Sequence, residues 1–173
     1  LVASVALKVV IATDAWKPQI NGVVTTLSHV EGYLRAQGCE VRVIHPGDFH
    51  TFALPNYKEI CVAWNVWKFA EIFESFKPDC VHIATEGPIG LAARRYLTKR
   101  GLPFTTSLHT KFPEYVNQRI GMPVSWGYAF LRWFHEPSKA TLVTTESMRD
   151  ELTARGLKDL VVWTRGVDTQ LFC

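Results

Sequence analysis

KVVIATDAWKPQINGVVTTLS, from Lys8 to Ser28, carries the pattern that sets the chain's topology. Val9 to Ala12 form a short apolar run, as in a strand buried on both faces. A polar loop containing Pro18 follows and closes at Asn21-Gly22. Beyond it, Val23, Val24, Leu27 and Val30 recur at helical spacing. A strand, a loop and a glycine at a helix start make the opening unit of an open α/β sheet. Such a unit turns backbone N–H groups and the positive end of a helix dipole past the strand's carboxyl end, where these sheets bind ligands.

Working outward, the same alternation repeats. Gly38 ends the first helix, and Val41, Val43 and Ile44 make a second strand closed by His45-Pro46-Gly47. Residues 48–58 read as a mixed loop containing Pro55 and Asn56, followed by a short strand from Ile60 to Ala63. Trp64 to Phe76 reads as one helix with a wide apolar face. After Lys77-Pro78-Asp79 comes a buried strand from Cys80 to Ala84. Thr85-Glu86-Gly87-Pro88 then turns into a helix that runs to Arg100 and is capped by Gly101. Phe104 to Leu108 is a strand. Two helical pieces follow it, split around Gly121-Met122-Pro123. Ala140 to Thr144 and Leu160 to Trp163 are the last strands. The helix between them takes its N-cap from Thr145 to Ser147, with Asp150 completing a capping box on Ser147, and ends at Gly156. The expected architecture is α/β: one Rossmann-like domain over residues 1–173, with a mainly parallel sheet covered by helices on both faces.

The bulk numbers agree with a globular domain. Of 173 residues, 47% are hydrophobic and 20% charged, and the formal net charge of +3 does not by itself call for nucleic acid. Cys39, Cys61, Cys80 and Cys173 contain no C-x-x-C pair, so buried, reduced thiols in a cytoplasmic protein are expected. Leu1 to Leu7 is apolar but lacks a basic flank and a spanning length, so neither a signal peptide nor a membrane helix is expected. A first residue of Leu1 rather than Met suggests a processed or trimmed product.

Three strand-exit loops carry polar content: Thr13-Asp14 through Gly22, Thr85-Glu86-Gly87, and His109-Thr110-Lys111. In a parallel sheet all three open on one edge. The chain has no G-x-G-x-x-G dinucleotide fingerprint, no phosphate-loop motif, no G-x-S-x-G elbow and no metal-ligand spacing. His109 reads as a general acid or base, as a donor to a sugar hydroxyl, or as a strand-end histidine satisfied by backbone. Glu86 reads as a site carboxylate or as a cap on the helix after Pro88. Between Val124 and His135, Trp126, Phe130, Trp133 and Phe134 share one helical stripe, with Tyr128, Arg132 and His135 turned elsewhere. That stripe suits either packing on the sheet or dipping into a bilayer interface.

Taken together, the motifs resemble family 4 glycosyltransferases, especially bacterial and plastid members that place mannose, glucose or sulfoquinovose on lipid or polyprenyl acceptors. The likeness rests on Asp14-x-Trp16-x-Pro18-x-x-Asn21-Gly22-Val23, Glu86-Gly87-Pro88, His109-Thr110-Lys111-Phe112-Pro113-Glu114-Tyr115, and Arg165-Gly166-Val167-Asp168 with Phe172, in that order. Such enzymes have two Rossmann-like lobes facing across a cleft, the GT-B fold. The chain matches the amino-terminal, acceptor-binding lobe, with the nucleotide-sugar-binding lobe absent, so the segment alone is expected not to turn over.

The resemblance implies a hexosyltransferase that retains configuration and uses a GDP- or UDP-hexose with no cofactor and no metal. It implies that Gly22 and the following helix start, with Asn21 where many relatives have a second glycine, lie against the donor diphosphate. His109 would reach the transferred sugar. Asp14, Trp16, Glu86, Lys111 and Tyr115 would line the acceptor side, and Trp126, Phe130 and Trp133 become membrane-contact candidates. The partners implied are a nucleotide sugar and a lipid or glycan acceptor, without nucleic acid. The implied location is cytoplasmic or peripheral on the inner face of the cytoplasmic membrane. The competing expectation is a non-catalytic Rossmann-like module that binds a nucleotide, a glycan or a partner protein.

Overall fold

The computed structural model describes residues 6–54, 57–109, 121 and 123–164. Its centre is a six-stranded parallel sheet in the order β2-β1-β5-β6-β7-β8. The strands are β1 (Lys8–Ala12), β2 (Glu40–Ile44), β5 (Cys80–Ile83), β6 (Thr105–Leu108), β7 (Thr141–Val143) and β8 (Leu160–Val162). Each is short, all but the threonine- and serine-rich β6 are apolar on at least one face, and each central one is followed by a helix, which forces parallel crossovers. The expected Rossmann-like α/β architecture is therefore present, with helices on both faces.

The alternation of side chains divides the core in two. Val10 and Ala12 of β1, with Val81 and Ile83 of β5, pack under Phe69 and Phe73 of α2 (Phe69–Phe76) and Ile89, Ala93 and Leu97 of α3 (Pro88–Arg100). Farther along that face, Leu108 and Val143 pack under Tyr128 and Leu131 of α4 (Val124–His135) and Leu152 of α5 (Glu146–Ala154). On the opposite face Val9, Ile11, Val41 and Val43 pack under Leu27 of α1 (Gly22–Ala36). Beside α1, a groove of about 460 Å³ runs across His82 to Leu142 and Trp163.

Several expectations are corrected. Residues 48–58 are not simply a loop: β3 (Thr51–Leu54) and β4 (Tyr57–Ala63) form an antiparallel hairpin, divided by positions 55 and 56, which lie outside the described residues. The helix expected from Trp64 begins only at Phe69, after a 3₁₀ turn at Val66–Lys68. Its cause is Asn65, buried, whose side-chain oxygen accepts from His50 N at 2.7 Å and holds the chain away from a helical start. Trp64 and Trp67 are left exposed. At α5 the cap is Thr145, accepting from Met148 N at 3.1 Å, rather than Ser147 with Asp150. Cys80 is exposed, while Cys39 and Cys61 are half-buried and all three are free thiols. Cys173 lies outside the described residues.

Candidate functional site

The parallel register aligns the exits of β1, β5 and β6, so the loops after Ala12, Ile83 and Leu108 share one sheet edge. At the first exit, Asp14 is pulled inward. One carboxylate oxygen accepts from Ile89 N at 2.8 Å; the other accepts from Thr85 Oγ1 at 2.8 Å and Gly90 N at 3.3 Å. Asp14 N in turn donates to Thr85 Oγ1 at 2.7 Å. The carboxylate thus serves as the N-terminal cap of α3, supplied from a neighbouring loop. Burial pushes its pKa above the usual carboxylate range, against the lowering pull of the Ile89 amide, Thr85 and the Gly90 amide; Glu86 adds a smaller upward push. Two glycines make room for this seal. A Cβ on Gly87 would lie 2.5 Å from the Asp14 carboxyl carbon, and one on Gly90 would run into the Thr85 carbonyl oxygen.

Trp16 also turns inward. At 8% exposure it packs with Val9, Ile11 and Leu27, its ring 6.0 Å from that of His45. The structure therefore gives the half-buried Asp14 a helix-capping role and the buried Trp16 a core role.

Asn21 and Gly22 are exposed at the start of α1. Asn21 has extended backbone angles, φ −154° and ψ 167°, and its side-chain oxygen accepts from Val23 N and Val24 N, both at 3.0 Å. The first turn is thus partly capped by a neutral carboxamide, and no acidic residue stands in it. The dipole at this terminus is left without a charge of its own.

At the second exit, Glu86 does not cap α3, because Asp14 does. It faces the buried His135 of α4, with 3.4 Å between Glu86 Oε1 and His135 Nε2. The other ring nitrogen of His135 shares a hydrogen with Thr106 Oγ1 at 2.8 Å, and Thr106 meets Thr141 at 2.9 Å. At the third exit, half-buried His109 meets Ser107 Oγ through Nε2 at 2.8 Å. Asn21, Gly22, Glu86 and His109 are therefore the named residues that stand on the edge. Lys111 and Tyr115 lie outside the described residues, as do Arg165 to Asp168 and Phe172.

The sequence reading missed two polar residues behind His109, namely His82 and Ser107. Only His82 carried a signal, as the one strongly polar residue of Cys80–Ile83; Ser107 follows two threonines in Thr105–Leu108 and does not stand out, and both face the α1 side of the sheet. The aromatic stripe of α4 also divides differently from the expected pattern. Gly127, Tyr128, Leu131, Phe134 and His135 form its buried face. Phe130 packs partly into the core, whereas Trp126 is 68% and Trp133 48% exposed. Tyr128 and His135, expected to turn away from the packed stripe, are buried. Arg94 stacks its guanidinium 3.8 Å from the Trp133 ring centre. Among the described residues no cluster of His, Cys, Asp or Glu is arranged to hold a metal, and no helix is long and apolar enough to cross a membrane.

The arrangement is that of a Rossmann-like domain whose polar loops gather at the carboxyl edge of a parallel sheet, with one helix terminus sealed internally and another exposed. The model for Glycosyltransferase Family 4 matches residues 20–171, and the chain belongs to that family. It is similar to a GDP-mannose-dependent alpha-mannosyltransferase of Mycobacterium tuberculosis, with 25% identity over 96% of the chain and 49% of the relative. A protein of the same description from Corynebacterium glutamicum is 23% identical over 96% of the chain and 45% of its own length. An alpha-monoglucosyldiacylglycerol synthase of Acholeplasma laidlawii is 29% identical over 64% of the chain and 32% of its length. The chain spans about half the length of the two mannosyltransferases.

Proposed function

We propose that this chain is the acceptor-side lobe of a retaining glycosyltransferase. The enzyme would move a hexose from a GDP- or UDP-sugar, without a metal, to a membrane lipid or another glycan carrier. The observation that carries the reading is the pairing, on one sheet edge of a family 4 chain, of an exposed helix start at Gly22 with His109. A leaving diphosphate gains from amides and a dipole aimed at it, and Gly22 places no side chain in the way. His109 would contact a hydroxyl of the transferred sugar, holding it against the acceptor. Asp14 is committed to α3 and Glu86 faces His135, which leaves neither placed as an evident carboxylate nucleophile. This supports same-face displacement, with the leaving phosphate taking the acceptor's proton.

In the native full-length protein, His109→Ala is expected to lower transfer by about 100-fold or more while the melting temperature holds. Unchanged transfer would remove His109 from the site. A native mass close to that of this chain, with nucleotide-sugar binding but no transfer, would favour the non-catalytic module instead.

Membrane contact through α4 is a second part of the reading, favoured by the exposure of Trp126 and Trp133 beside Arg94. Indole rings with an adjacent cation suit an anionic lipid interface. Replacing Trp126 and Trp133 together by Ser should abolish sedimentation with anionic liposomes; sedimentation that persists contradicts it.

A further inference from the structure

Behind His109, a line of hydrogen bonds runs into the sheet. Ser107 Oγ lies 2.8 Å from His109 Nε2 and 3.0 Å from His82 Nε2, with the Ala84 carbonyl oxygen farther off at 3.4 Å. His82 Nδ1 meets Thr105 Oγ1 at 2.9 Å. The placement follows from register: His82 of β5 pairs with Thr105 of β6, and Ser107 stands two residues on, on the same face. Ser107 is 1% exposed, so its hydroxyl has only these partners to satisfy it among the described residues.

We propose that Ser107, backed by His82, is a positioning residue that holds the His109 ring in one orientation and one tautomer at the ligand edge. The reason is proton counting. A serine hydroxyl has a single hydrogen, so when it donates to one imidazole nitrogen it accepts from the other. With the hydroxyl turned to either ring, one Nε2 carries a hydrogen and the other does not, which links the two histidine tautomers; only the longer bond to the Ala84 carbonyl, at 3.4 Å, would let both rings donate to Ser107. A charged His109 fits the line only while His82 stays neutral, accepting from Ser107 and donating Nδ1–H to Thr105. His82 meets that condition, since burial, with His109 adding to it, pushes its pKa down to about 4. The line therefore lets His109 change protonation while its ring stays where the loop puts it.

This inference rests on the reading of His109 as a site residue, but its first test does not. Imidazole nitrogen shifts of ¹⁵N-histidine-labelled native protein are expected to show His109 as one tautomer, with His82 neutral down to below pH 5. In Ser107→Ala the His109 signals should move away from their wild-type tautomer position, and in Ser107→Thr, which keeps the hydroxyl, they should return. Two tautomers in the wild type, or His109 signals unchanged in Ser107→Ala, would overturn the proposal.

The second test is kinetic. Ser107→Ala should lower kcat about ten-fold or more and shift the acidic limb of its pH profile, while KM for the nucleotide sugar changes less than about two-fold. Ser107→Thr should recover most of the loss. If His109→Ala abolishes transfer and Ser107→Ala leaves both kcat and the pH profile unchanged, the positioning role is overturned while the functional reading stands. If His109→Ala is without effect, the functional reading fails, and the nitrogen shifts still decide whether Ser107 fixes the ring.

Discussion

Two helices begin at the same sheet edge, and they treat their first turns in opposite ways. The start of α3 is closed from within: the Asp14 carboxylate occupies its amides, and Gly87 and Gly90 let the neighbouring loop come close enough to do so. The start of α1 is capped only by the neutral Asn21 carboxamide and stands exposed with Gly22 at its tip. A helix terminus whose first amides are already taken by a half-buried carboxylate has no place for another anion. On the proposed function, the contrast makes α1 the terminus that would receive a diphosphate.

The largest way to break the contrast is at the sealed end. Gly90→Ala would push a methyl group into the Thr85 carbonyl oxygen, a backbone atom that cannot turn aside. A loss of about 3 kcal/mol in urea unfolding is expected, together with opening of the Asp14 cap. A loss below about 1 kcal/mol would mean that the seal is loose.

A smaller effect sharpens the same contrast by pH. Burial raises the Asp14 pKa above its unfolded value of 3.8, so the folded protein holds that proton more tightly than the unfolded chain does. Its contribution is fully present below the unfolded pKa and is lost as pH rises through the folded one. Subtracting the curve of Asp14→Asn from that of the wild type should therefore give a difference that declines with rising pH above 3.8. A difference that rises with pH would reverse the assigned sign. The α1 terminus, with no charge of its own in the first turn, should add no such slope.

The fold was legible because strand and helix periods alternate plainly and because glycines mark helix ends, as at Gly38, Gly101 and Gly156, all with positive φ. The site was legible only in part. Asp14 and Asn21 are both polar residues in the same loop, and nothing local says which one will cap its own helix and which will cap another. That choice is made by Thr85, Ile89 and Gly90, more than 70 residues away. Trp16 likewise looks like a loop aromatic until α1 and β2 close over it. In α4 the spacing identified an apolar stripe but not its width. The sheet takes Tyr128, Leu131 and Phe134, and so Trp126 and Trp133 fall outside the buried arc. His82 stands out in its own strand, but its line to Ser107 and His109 depends on the register between β5 and β6, which no local pattern states.

On the proposed function α1, and not α3, receives the donor's diphosphate. Gly22→Asp in the native full-length protein, assayed with GDP-mannose and UDP-glucose beside a melting curve, decides between the two. A carboxylate in the first turn suits the helix dipole, so the melting temperature should hold or rise. The same charge would oppose the diphosphate, and kcat/KM should fall about 100-fold or more with whichever donor is used. A folded Gly22→Asp protein that transfers sugar as well as the wild type would contradict the claim.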